Sequence, residues 1–328
     1  MNRYLPGLFV VLLALSACAT TGGASSGTPS LSPTPEASEP APATDGDGDD
    51  GSEGAIDHPT GSEAVLVISS AGGMLPVQMQ VTNLPMLVIT GDGRVVMQGM
   101  QTLEFPGPAL PALIERQLTE DGVQQVLRAL EQTNLFAGDL ELRGMMGMIA
   151  DATDTIFTVS AAGLESVVTV YAISMLFDGM EPPQGMGAEE LEAYRILSTL
   201  HDRLMTLDTW LPADAWATDA WVPYEPEAFR LYVRDATDQP IEGGDLPGQI
   251  RGWPTDDDPA TFGEEIAAFG DGTRCAVVAD DAGAVWLAEL SNANQNTLWS
   301  DAGDRRFSIG VRPLLPHEER VCPEHEGS

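Results

Sequence analysis

From residue 62 onward, hydrophobic residues come in short bursts separated by Gly, Pro and Asp, a pattern that predicts strands and hairpins interrupted by a few helices. Ala64 to Ser70 (AVLVISS) and Leu75 to Thr82 (LPVQMQVT) read as strands. Met86 to Gly99 (MLVITGDGRVVMQG) reads as a hairpin, with Gly91-Asp92-Gly93 supplying the positive-φ residues of a tight turn. The period then changes. After Thr119, a candidate cap followed by Glu120 and Asp121, the residues Val123, Val126, Leu127 and Leu130 fall at i, i+3, i+4 and i+7, the signature of an amphipathic helix. Asp154 to Ser174 predicts a second hairpin turning near Ala162-Gly163. Gly187 to Leu207 predicts a second helix with Tyr194, Leu197, His201 and Leu204 on one stripe.

Residues 208–227 hold Trp210, Trp216, Trp221 and Tyr224 among prolines and acids, and read as a connection. Ala228 to Asp235 (AFRLYVRD) then opens a second unit. A strand from Arg274 (RCAVVA), a helix with Asp280 as its expected cap and a strand RRFSIGVRPL give it a β-α-β order. The expected architecture is α+β: two small units of antiparallel strands and hairpins with packed helices, over residues 62–207 and 228–328, behind a disordered N-terminal tether.

The N-terminus accounts for that tether. Arg3 precedes a short apolar run, Leu8 to Leu15, well under the ~20 residues that span a bilayer and suited to the h-region of a secretory signal. Leu15-Ser16-Ala17-Cys18 has the form of a bacterial lipobox. Residues 1–17 are therefore read as a lipoprotein signal peptide, and Cys18 as the thiol that takes a diacylglyceryl group. Two acyl chains, palmitate or its like, give the stable anchoring that one does not. Residues 18–61 read as a disordered Ser/Thr/Pro/Gly linker that turns acidic, with His58 inside it. Its DGDGDDG run does not fit a calcium loop: counting from Asp45, position six holds Asp50 rather than Gly and position twelve Ile56 rather than Glu.

Charge narrows the partners. The 328 residues carry 50 acids against 15 bases, a net −35, and every base is arginine. This balance argues against nucleic acid as a partner, because phosphate binding needs clustered cations, and against electrostatic docking on anionic lipid. The expected location is the extracytoplasmic face of a cell membrane, held by lipid. In that compartment disulfides persist. With Cys18 acylated, Cys275 and Cys322 are the remaining thiols and are expected to pair.

The stretches GDGRVV, PGPALP, LTEDGVQQVL, ADATDTIFTV, RCAVV and RPLLPHEERVC together resemble a group of uncharacterised bacterial lipoproteins of the actinobacterial kind, over roughly Met86 to Cys322. The resemblance implies an envelope protein of the same build. It implies no activity and supplies no catalytic residues.

Candidate chemistry is sparse. There is no G-x-S-x-G, P-loop or G-x-G-x-x-G motif. His201 lies on an apolar stripe and reads as a packed histidine. His317, Cys322 and His325 could form a zinc site only if Cys322 were a free thiolate. Asp151 and Asp154 read as turn or cap residues at a strand entry. Thirteen methionines are present, and Met145, Met146 and Met148 stand together in a glycine-flanked loop, read first as core filler, then as a contact surface, and last as a Cu(I) site. Trp210, Trp216 and Trp221 form a second candidate contact surface, for sugar rings or for packing the two units together. No cofactor is called for. The expected function is a non-enzymatic binding or envelope-interaction protein with an unidentified partner or ligand. The alternatives are an envelope hydrolase using paired carboxylates and a Met-rich copper protein.

Overall fold

Strand β1 (Ala64–Gly72) is central to a sheet of eight strands. Its neighbours along the chain are α1 (Val77–Thr82), β2 (Leu87–Thr90), β3 (Arg94–Gln98), β4 (Leu113–Gln117), α2 (Glu120–Glu131), β5 (Leu140–Leu142), β6 (Thr153–Ala161), β7 (Leu164–Tyr171), α3 (Ala188–Met205), α4 (Leu207–Trp210) and β8 (Val222–Pro223). The strand order is β5-β7-β6-β1-β2-β3-β4-β8, antiparallel except for β5 on β7. The computed structural model describes residues 54–74, 77–175, 180, 183–239, 249–266 and 272–323. The signal-like segment, Cys18, most of the linker and His325 lie outside the described residues.

Period-two alternation gives this sheet two apolar faces. Leu66, Ile68, Leu87, Ile89, Phe157 and Val168 face α2 and α3, whose Val123, Val126, Leu127, Leu130, Tyr194, Leu197 and Leu204 complete one buried core. Val88 and Val96 face the other way and are covered by Leu84, Tyr224 and Leu315. Helix α2 begins as its sequence predicts: the Thr119 hydroxyl accepts from the Gly122 N–H at 3.2 Å. The β6–β7 hairpin turns on Ala162 (φ 52°) and Gly163 (φ 71°), the two positive values of a type I′ turn.

The second sheet is built from β9 (Ala228–Asp235), β10 (Ile250–Gly252), β11 (Glu264–Glu265), β12 (Arg274–Ala279), β13 (Leu298–Ser300) and β14 (Arg306–Pro313), with α5 (Asp280–Leu290) on one face. Its order is β10-β13-β14-β9-β12-β11. β12 and β14 both run antiparallel to β9, one on each side, so the chain passes from β12 through α5 and β13 to a strand two places away. Phe229, Leu231 and Val233 of β9 join Trp286, Leu290, Trp299 and Phe307 in an aromatic core under α5. Trp286 has Trp253 at 5.1 Å and Trp299 at 5.3 Å between ring centroids. Both sheets belong to one compact unit, and the fold is α+β.

Several local readings are corrected. Val77 to Thr82, read as a strand, is the short helix α1, because an eight-residue apolar–polar run fits either period. Gly93 has the positive φ of the β2–β3 turn (81°), whereas Gly91 is required for space: a Cβ there would overlap the Pro59 carbonyl. Asp280 does not cap α5. It sits at φ 52°, the cap position is Ala279 without a side-chain bond, and the Asp280 carboxylate lies 3.5 Å from Arg320. Residues 54–61, assigned by composition to the linker, are held on α2. Gln124 exchanges two 2.8 Å hydrogen bonds with the backbone of Ile56, and the His58 imidazole meets Glu120 at 3.1 Å. A polar sequence folds here because its backbone polar groups find fixed partners.

Candidate ligand-binding site

Strand β9 places Arg230, Tyr232 and Arg234 on the face away from α5, and β14 places Ser308, Gly310 and Arg312 on the same face. Helix α1 lies over this face, with Val81 against Tyr232 and the Thr82 methyl over Gly310. β13 pairs with β14 only along Arg306–Ser308. From Ile309 to Val311, β14 has β9 on one side and, among the described residues, no strand on the other. A cavity of about 500 Å³ opens along this unpaired edge, within the ~300–1,000 Å³ range of small-molecule sites.

Its walls are built from both halves of the chain. Met79, Val81 and Thr82 of α1 form one wall and the Pro108–Pro111 segment another; Leu290 at the end of α5 and the Asn294–Thr297 turn complete it. The proline segment is fixed by two backbone bonds, Ala109 N–H to the Ala293 carbonyl at 3.1 Å and Gln295 N–H to the Gly107 carbonyl at 2.9 Å. The Thr297 hydroxyl donates to Gln249 Oε1 at 2.7 Å and accepts from the Asn294 N–H at 2.9 Å. These bonds hold the cavity wall in place before any ligand arrives.

Charge distinguishes this cavity from the rest of the molecule. The chain has 50 acidic residues, yet among the described residues no Asp or Glu lines it, and Arg234 is the one charged residue among those that do. Most arginines are engaged elsewhere. Arg312, next along the same face, is tied to Glu318 by two 2.7 Å contacts and donates to the Asn83 carbonyl at 3.1 Å. Burial opposes ionisation of Glu318, but the Arg312 hydrogen bonds outweigh it and hold the carboxyl below the usual glutamate value. The other carboxyls shifted from their ordinary range, among the described residues, are Glu120, Asp235 and Asp301, and each is lowered by hydrogen bonds. A general acid at neutral pH requires the opposite shift. The open groove beside Asp256, Asp257 and Asp258 has Arg305 between Asp258 (2.8 Å) and Asp301 (2.6 Å).

The residues singled out in the sequence have other positions. Cys275 and Cys322 form a disulfide, with Cα atoms 6.0 Å apart, that ties the C-terminal segment to β12. It uses the thiol a zinc site would need, and among the described residues no three His, Cys, Asp or Glu side chains converge as a metal site. His201 is edge-on to Phe157, and its buried Nε2 has no partner. Asp151 occupies a turn at φ 61°, and Asp154 pairs with Arg143. The methionine trio divides: Met145 is in the first core at 0 % exposure, whereas Met146 and Met148 are each 57 % exposed on a 3-10 turn. The tryptophans do not join the two sheets, nor do they form an open platform. Trp216 is buried in the first core, with Trp210 and Trp221 packed against it, Arg116 stacked 4.0 Å over the Trp216 ring, and the Trp221 indole bonded to Asp208 at 2.6 Å. The sheets are joined instead by Tyr224, whose hydroxyl donates to the Leu314 carbonyl at 2.7 Å and whose burial pushes its pKa to about 12.

Sequence reading missed the cavity and Arg234. One signal was available: in FRLYVRD, Phe229, Leu231 and Val233 alternate with Arg230, Tyr232 and Arg234, which sets two of only 15 basic residues on one strand face. Compared with family models, with curated proteins and with solved structures, the chain matches none.

Proposed function

We propose that this chain is a lipid-anchored extracytoplasmic binding protein that takes a small ligand between its two sheets. The observation that carries the reading is the preformed cavity at the unpaired edge of β14, which among the described residues is lined by no carboxylate in a chain of net charge −35. The lipobox-like Leu15 to Cys18 and the resemblance to actinobacterial-type lipoproteins support the anchored location. The Cys275–Cys322 bond suits an oxidising compartment.

Two experiments test the two halves. Cys18→Ala is expected to move the protein from the membrane fraction to the soluble one; retention at the wild-type level after a high-salt wash contradicts the anchor. For binding, the neutral dye N-phenyl-1-naphthylamine is expected to fluoresce with wild type and not with Ser308→Phe, which fills the cavity. Equal fluorescence with both proteins, or none with either, contradicts a ligand site at this position.

A further inference from the structure

We propose that the ligand of this cavity is a small amphiphilic anion, a molecule with one carboxylate, sulfonate or phosphate group and an apolar body, and that Arg234 and Ser308 hold the anionic group. The inference rests on the cavity being a binding site and names the chemistry it selects.

Arg234 and Ser308 are direct partners in the β9–β14 register, so their side chains rise from one face about 5 Å apart at the Cβ atoms. Both line the cavity. Among the described residues, neither side chain has a hydrogen-bond or ion-pair partner. A guanidinium and a hydroxyl at that spacing present adjacent donors to one anion, and guanidinium geometry matches a planar or tetrahedral oxyanion with two parallel bonds. The neighbouring arginines are already engaged. Arg312 is neutralised by Glu318, and the Arg230 guanidinium donates to the Val321 carbonyl at 2.9 Å. In a chain so rich in carboxylates, Arg234 is a partly buried arginine lining a cavity with no carboxylate among the described residues, so its guanidinium is open to an incoming group.

The rest of the lining sets the apolar part. Met79, Pro108, Leu290, Ile309 and Val311 supply the hydrocarbon part of the lining. The segment leading to Pro108 also carries Met100, Leu103 and Phe105, all exposed to solvent. A cation would meet Arg234 unfavourably. A neutral apolar ligand would desolvate the guanidinium without compensating it.

The test uses two dyes that differ by one charged group. 8-Anilinonaphthalene-1-sulfonate is N-phenyl-1-naphthylamine bearing a sulfonate, and both report binding by fluorescence. With the full-length protein, the sulfonate dye is expected to bind about tenfold tighter than the neutral one, the factor that one charge-assisted hydrogen bond supplies. Arg234→Gln should abolish that difference by weakening the sulfonate dye, with the neutral dye bound no more weakly than by wild type. Decanoate should displace the sulfonate dye at concentrations where decanol does not. If the two dyes bind wild type equally, or if their difference survives Arg234→Gln, the anion assignment is overturned while the cavity remains a binding site. If neither dye binds, the site itself is refuted. Circular dichroism of Arg234→Gln distinguishes loss of fold, which contradicts the assignment of Arg234 as a ligand group rather than a structural one.

Discussion

The two sheets solve the same problem with different material. The first seals one face with two helices of 12 and 18 residues over a core made mostly of Leu, Val and Ile. The second has one helix of 11 residues, and it relies on edge-on and tilted aromatics, a disulfide and the buried Arg312–Glu318 pair. A sheet with less helical cover buries less apolar surface and gains from such staples. Among the described residues, the face of β9 and β14 opposite α5 is covered by the six-residue α1 and loop segments, and the cavity opens beside this cover. The proposed binding site falls there.

Substitutions can sharpen this contrast. The largest effect is expected for Trp286→Ala, at the centre of the aromatic core, where truncation should cost about 4 kcal/mol. Denaturation followed by segment-resolved hydrogen exchange should show the second sheet opening first; simultaneous opening of α2 and α3 would break the distinction. Cys322→Ser should cost about 4 kcal/mol in the chain-entropy description of a 47-residue separation, read as a lower denaturant midpoint. If the midpoint is unchanged, the disulfide is not a staple.

Glu318→Gln should cost about 3 kcal/mol, because it leaves a buried guanidinium unpaired. The pH dependence has a definite sign. The Glu318 pKa is lowered in the folded state, so its contribution is complete above the unfolded value of about 4.3 and is lost as pH falls through the folded value. Wild type should therefore lose more stability than Glu318→Gln on acidification below about pH 4. A parallel decline would remove the pair from the account. The smallest effects divide the methionine trio: Met145→Ala should cost about 2 kcal/mol or more, whereas Met146→Ala and Met148→Ala should each stay within about 0.5 kcal/mol. Equal losses at all three would mean the turn packs as a unit.

Elements with their own strong period were legible in the chain. β9 runs from Ala228 to Asp235 as its alternation indicated, α2 starts at its Thr119 cap, and the second hairpin turns at Ala162-Gly163. Where two periods fit, as at Val77–Thr82, tertiary packing against β14 decided the structure. The Cys275–Cys322 pair could be reached because, with Cys18 read as an acylation site, the cysteine count left one pairing. The cavity could not. It depends on α1 and the Pro108–Pro111 segment crossing to strands more than 120 residues later, and no local pattern encodes that juxtaposition. Arg234 became visible as a site residue only once its neighbours Arg230 and Arg312 were seen to be occupied.

The central claim, that ligand is held between the sheets at the β14 edge, is tested most directly by hydrogen exchange of the full-length protein with and without saturating 8-anilinonaphthalene-1-sulfonate. The account predicts slower exchange at Ile309–Val311, in α1 and around Ala109, with α2 and α3 unchanged. Protection confined to the helical face of the first sheet, or none anywhere, would contradict it.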